Sequence, residues 1–224
     1  HMSIVYKILN QFVLLFPEKC GIDLLRKGIR LMNIPDSNEN DNLVIFIKNY
    51  TKVHPDQYDE IWKHLKSALN NARYDIYTSF CIKPIISCIT IIFLSNKTKV
   101  IEILYTHLLP LFRHERLYIY YDKLIDLVNR LINNNIIHQL NVIQYLIKHF
   151  PYQCGKKQPL FSATLITITS SMLSRQLNPI ATKLFTFIAM CIQSPNSKLA
   201  ESGLSFFMKK SMRPIIGSNF DFAI

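Results

Sequence analysis

Glycine is scarce in this chain: five in 224 residues. Little of the backbone therefore has to adopt left-handed conformations. Long apolar runs are missing as well. The longest, Ile85 to Leu94, is bounded by Lys83-Pro84 and Asn96-Lys97, and a membrane span needs roughly 20 apolar residues. Gln158 to Ser174 carries no charge, but Ser162, Thr164, Thr167, Thr169 and Ser170 interrupt it. Both stretches read as helices buried in protein, with no membrane span. A secretory leader pattern is absent. The five cysteines (Cys20, Cys81, Cys88, Cys154, Cys191) are odd in number and form no C-x-x-C pair. That fits a reducing compartment, cytoplasmic and/or nuclear, with cysteines used as small hydrophobes. Cys81 and Cys88 stand seven apart on one helix face, a spacing suited to core packing.

Catalytic signatures are lacking too. There is no G-x-S-x-G elbow, no glycine-rich phosphate loop and no H-E-x-x-H. His107 and His114 could share a helix face, but neither has a cysteine or carboxylate at ligand spacing, so no metal site is expected. Asp122 and Asp126 lie at i, i+4, where paired carboxylates can do acid–base work. A solvated face answered by Lys123 and Arg130 explains them better. The expectation is a non-enzyme that needs no cofactor.

What the chain does have is 49% hydrophobic residues at helical spacing. His1-Met2 reads as a cloning remnant, and the natural chain is expected to begin earlier. Val5, Ile8, Leu9, Phe12 and Phe16 recur at intervals of three and four, predicting a helix over Ile4 to Phe16 that ends at Pro17. Further helices are expected over Ile22–Met32, Leu43–Lys52 (capped by Asn42 after a polar loop), Asp56–Ala72 and Asp75–Leu94 (kinked at Pro84). Others follow over Lys97–Phe112, Tyr120–Ile132, Ile137–Phe150, Gln158–Leu173, Pro179–Gln193 and Lys198–Lys209, with a short segment after Met212. Helix pairs of about 40 residues in tandem predict an all-α, HEAT- or armadillo-like superhelical solenoid of about 5–6 helix pairs. Residues 3–224 would form a single repeat domain. A globular helical bundle is the structural alternative.

Acidic residues are under-represented: 26 Lys and Arg face 15 Asp and Glu, a net charge of +11. The excess is uneven, at +1 through Asp75 and +10 from Ile76 onward. A basic face attracts an acidic protein surface, a phosphopeptide, nucleic acid or an anionic membrane, although a lysine-rich solvated surface would give the same count. Arg113, Arg116, Tyr118, Tyr120, Tyr121 and Lys123 interleave basic and aromatic groups. Such a mix can stack bases and contact phosphates. It can equally pack adjacent repeats, the reading preferred for Tyr118 and Tyr121.

Four C-terminal elements carry a resemblance. They are Leu108-Leu109-Pro110-Leu111 followed by Leu117-Tyr118-Ile119-Tyr120; Tyr145-Leu146-Ile147-Lys148-His149-Phe150-Pro151; Leu184-Phe185 with Ile188-Ala189 and Cys191-Ile192-Gln193-Ser194-Pro195; and Leu199-Ala200-Glu201-Ser202-Gly203-Leu204-Ser205-Phe206-Phe207. In order and spacing they resemble the B-prime family of protein phosphatase 2A regulatory subunits. Val5-Tyr6-Lys7-Ile8-Leu9, the helix at Ile29 to Met32 with its acidic loop, and Asn49-Tyr50-Thr51-Lys52-Val53 look similar to earlier elements of that family, whose first repeats this sequence lacks. The resemblance implies a HEAT-like regulatory or targeting subunit without activity of its own. Its partners would be the phosphatase scaffold and catalytic subunits, together with substrate proteins carrying short linear motifs of the L-x-x-I-x-E type. It implies a concave peptide groove in which Tyr50 matches a tyrosine and Lys97 a lysine, with Ile85 and Ile89 supplying an apolar floor or serving the core. Lys48 stands for an arginine, keeping charge without the bidentate fork. Val100 stands for a histidine and Gln57 for a second arginine. A basic nucleic-acid-binding repeat protein and a generic protein adaptor are the competing readings.

Overall fold

A computed structural model of the chain describes residues 2–16, 21–31, 37–74, 79–95 and 100–208. Cys20, Lys97, the Pro17 stop and the segment after Met212 lie outside them. Among the described residues all regular structure is helical. The chain divides into two compact units, His1–Leu127 and Val128–Ile224, and the division falls within one helix.

The first unit contains α1 (Met2–Leu15), α2 (Ile22–Leu31), α3 (Ser37–Val53), α4 (Tyr58–Tyr74), α5 (Ile82–Ser95), α6 (Val100–Ile103) and the start of α7 (Tyr121–Ile132). Helix α1 packs on α3, and α3 on α5. Helix α2 packs on α4, and α4 on the segment after α6. Contacts of α2 with α3 and of α4 with α5 join the two rows. Two layers of helices laid side by side are the helix-pair stacking of HEAT-like repeats. Each helix buries one stripe because its apolar residues recur at 3.6-residue spacing. Leu43, Phe46, Ile47 and Tyr50 do so on α3, and Ile61, Trp62, Leu65, Leu69 and Ala72 on α4.

The second unit pairs α8 (Ile136–Lys148) with α9 (Gln158–Ser170), and α11 (Ala181–Ile192) with α12 (Ser197–Met208). A short α10 (Ser174–Leu177) and a 3-10 turn at Asn178–Ile180 precede α11. An aromatic chain forms its core. Phe150 lies 5.9 Å from Phe161 and 4.9 Å from Phe187, both edge-on, and Phe187 lies 6.4 Å from Phe206. These geometries are the favourable ones for aromatic rings. Gly203 lets α12 reach α11: a Cβ there would stand 2.9 Å from Ile192 Cγ1 and 3.0 Å from the Ile192 backbone nitrogen.

Polar side chains repeat the rhythm of the stack. Arg26 donates to His64 across 38 residues, and Asn196 to Gln158 across 38. Tyr152 meets Met190 across 38 and Asn49 meets Asn10 across 39. Arg116 meets Ser79 across 37 and Lys66 meets Glu102 across 36. A recurring separation near 38 is what equivalent positions in neighbouring repeats produce, and it matches the period expected from the sequence.

Several expected boundaries move. Helix α3 starts at Ser37, six residues before the expected Leu43, so part of the polar loop is helical. Pro84 does not kink a long helix. A 3-10 turn at Ser79–Cys81 leads into α5 at Ile82, which puts Pro84 in the first turn, where a missing N–H costs nothing. The expected helix over Lys97–Phe112 is α6, then a π-helical turn at Leu104–Leu108, then a 3-10 turn at Leu109–Arg113. Pro110 cannot continue an α-helical ladder. On α1 the expected buried stripe is largely exposed. Val5 is 56% and Ile8 64% exposed, and Val13 is buried instead, because α3 covers a different face.

Candidate functional site

The sequence-derived groove residues do not share one surface. Lys48 is exposed on α3. Tyr50, two residues on, is fully buried. Its ring lies 4.6 Å from His54 and its hydroxyl donates to Gln57 Oε1 at 2.7 Å. The glutamine at the expected arginine position thus holds the tyrosine hydroxyl within the fold. Ile85 and Ile89 are also fully buried. They lie on the α5 stripe with Ile82, Ile86 and Ile92, within the core. Lys97 lies outside the described residues.

A groove does form on the opposite side of α5. It encloses about 560 Å³ between Asn40, Asp41, Val44 and Ile45 of α3, Phe80 of the 3-10 turn before α5, Lys83, Pro84 and Ser87 of α5, Ile119 of the 3-10 turn before α7, and Lys123 of α7. Ile45 and Phe80 are each nearly half exposed. Lys48 follows Val44 by four residues and Ile45 by three, which puts it on the same helical face one turn along. Val44, Ile45, Phe80, Pro84 and Ile119 give the groove an apolar wall, Asn40 and Ser87 add polar groups, and Lys83 and Lys123 set against Asp41 give a net positive rim. The sequence offered little signal for this groove. Ile45 and Phe80 look like any core residue at helical spacing, and only burial tells them apart from Phe46 and Cys81.

A second depression of about 390 Å³ lies nearby. Arg73 and Tyr74 at the end of α4 line it with Pro110, Arg113, His114, Glu115 and Arg116. The Arg116 guanidinium lies 5.5 Å from the Phe80 ring centroid and 3.4 Å from Ser79 Oγ. Phe80 also walls the first groove, so the two depressions meet at this cation–π contact. Tyr118, expected to pack, is 65% exposed, whereas Tyr120 is buried and donates its hydroxyl to the Leu111 carbonyl at 3.1 Å. Burial pushes the Tyr120 phenol up, out of reach of ordinary titration.

Three of the four cysteines among the described residues sit in packing roles. Cys81, Cys88 and Cys191 are buried, and burial raises the Cys88 thiol and pushes the Cys191 thiol to about 12. Thiols held neutral in this way are poor nucleophiles and poor metal ligands. Among the described residues no three of His, Cys, Asp and Glu converge as a metal site. His107 is buried edge-on to Trp62 at 5.7 Å, while His114 is half-buried in the loop near Tyr120. Asp122 and Asp126 are both exposed. Among the described residues no helix is long and apolar enough to cross a membrane.

Stacked helix pairs presenting grooves define a helical-repeat protein. The family described as "Protein phosphatase 2A regulatory B subunit (B56 family)" matches residues 1–223. The chain belongs to that family. It is 26% identical over 123 residues to the human serine/threonine-protein phosphatase 2A 56 kDa regulatory subunit beta isoform, covering 55% of this chain and 25% of the relative. It is 28% identical over 109 residues to the Caenorhabditis elegans regulatory subunit pptr-1, covering 49% of this chain and 20% of the relative. The matches thus span about a quarter of the length of these curated relatives.

Proposed function

We propose that this chain acts as a non-catalytic targeting subunit of protein phosphatase 2A, holding substrate proteins beside the phosphatase scaffold and catalytic subunits. The family match over residues 1–223 carries this reading. The groove between α3 and α5 supports it, because a preformed apolar trough with a basic rim suits an extended peptide with one or two apolar anchors and an acidic end. Lys48, Lys83 and Lys123 would meet the acidic end, and Ile45, Phe80 and Pro84 the anchors. Tyr50, Ile85 and Ile89 would act indirectly, by fixing the helices that shape the trough.

A pull-down with purified phosphatase scaffold and catalytic subunits tests the proposal. Stable co-elution of the three proteins is expected. A full-length protein that does not associate with them would remove the holoenzyme role and leave a generic adaptor.

A further inference from the structure

The arginine-lined depression has no part in the groove role described above. Arginine supplies all three of its strong cationic donors, from two separate elements: Arg73 from the end of α4, and Arg113 and Arg116 from the 3-10 turn and loop before α7. Glu115 is the one carboxylate in the lining. Among the described residues neither Arg73 nor Arg116 is paired with a carboxylate. Arg73 rests over the Tyr74 ring at 5.3 Å, and Arg116 over Phe80. A guanidinium lying over a ring carries several N–H donors, of which Arg116 commits one to Ser79 Oγ at 3.4 Å, and the planar fork matches the oxygens of a phosphate. The volume of about 390 Å³ suits one anionic group with its immediate neighbours, not a strand of successive nucleotides.

We propose that this depression binds the phosphate of a phosphoserine or phosphothreonine on a peptide whose apolar residues occupy the adjoining groove. Arg116 sits at the junction: it lines the depression and its guanidinium lies 5.5 Å from the Phe80 ring centroid. A chain leaving the trough past Phe80 would meet Arg116, and Arg73 and Arg113 line the same depression. Such a site would retain substrates while they are still phosphorylated at a second position. The choice of a phosphopeptide among phosphate-bearing molecules rests on the phosphatase reading, whereas the preference for phosphate rests on the arginines alone.

The test is retention of the chain on an immobilised pool of degenerate peptides with a central phosphoserine, beside the same pool with serine. Retention is expected to be about tenfold stronger on the phosphorylated pool and to be competed by millimolar inorganic phosphate. Arg73→Gln and Arg113→Gln should each lose roughly tenfold, with Arg113→Lys falling between Arg113→Gln and the parent. Circular dichroism melts matching the parent would show that the variants fold. Equal retention on both pools would overturn the proposal, as would folded variants that bind like the parent. Tighter binding of inositol hexakisphosphate or a single-stranded oligonucleotide than of the phosphopeptide pool would overturn the peptide assignment. The same variants are expected to co-elute with the phosphatase subunits. Loss of co-elution by the parent, with phosphopeptide retention intact, would sink the phosphatase reading and spare the site.

Discussion

Two residues show how a single side chain, or its absence, is constrained. At Gly203 the nearest neighbours of an added methyl are Ile192 Cγ1, the Ile192 backbone nitrogen and Cys191 Cβ, none of them the far end of a long flexible side chain. Gly203→Ala should therefore cost about 1–3 kcal/mol by overpacking, despite alanine's better helix propensity. The drop in urea midpoint measures it, and an unchanged midpoint would mean that α11 and α12 can move apart freely. His107 is held below the ordinary histidine range, chiefly by burial and then by the positive charge of Lys66. The unfolded chain thus takes up a proton at a pH where the folded chain still resists it. Stability contributed by neutral His107 is complete above about pH 6.5 and is lost as pH falls through the folded value. His107→Leu should flatten the fall in stability between about pH 7 and 5. Equal slopes in both proteins would assign that fall to other groups.

At the scale of elements, capping and aromatic packing decide where helices stop and how they join. Asn133-Asn134-Asn135 separates α7 from α8. Asn134 takes a positive φ of 63°, which asparagine tolerates better than most residues. The Asn135 side chain accepts from the His138 backbone N–H at 3.0 Å, capping α8. Asn135→Ala should cost about 1 kcal/mol in chemical denaturation. In the second unit, Phe187 joins α11 both to Phe150, just after α8, and to Phe206 of α12. Phe187→Ala should cost about 3–5 kcal/mol. A loss below about 1 kcal/mol would mean that the surrounding rings collapse into the cavity.

For the whole molecule, the proposed recruiting role would depend on surfaces that repeat stacking creates. Reversing charge by Lys48→Glu should weaken binding of an acidic L-x-x-I-x-E peptide about tenfold, read by fluorescence anisotropy, because a charge-assisted bond is worth about 1.5–3 kcal/mol. Association with the phosphatase scaffold should persist in the same variant. Unchanged peptide affinity would remove Lys48 from the recruiting surface. Tyr50→Phe, by contrast, deletes a hydroxyl already committed to Gln57, so its effect should fall on stability and not on peptide affinity.

The helical class, the period near 40 residues and most helix centres are determined by local sequence: apolar spacing, scarce glycine, and proline at helix boundaries act over a few residues. The ordered C-terminal elements likewise carried the family. Tertiary structure decided which apolar residues are core and which are surface, since Ile85 and Phe80 have similar hydrophobicity and differ only in what packs over them. It buried Tyr50 against Gln57, a contact across a helix end that no spacing rule specifies. It also brought Arg73 to Arg113 and Arg116 and set Arg116 on Phe80, because side chains some 40 positions apart meet only when neighbouring repeats stack.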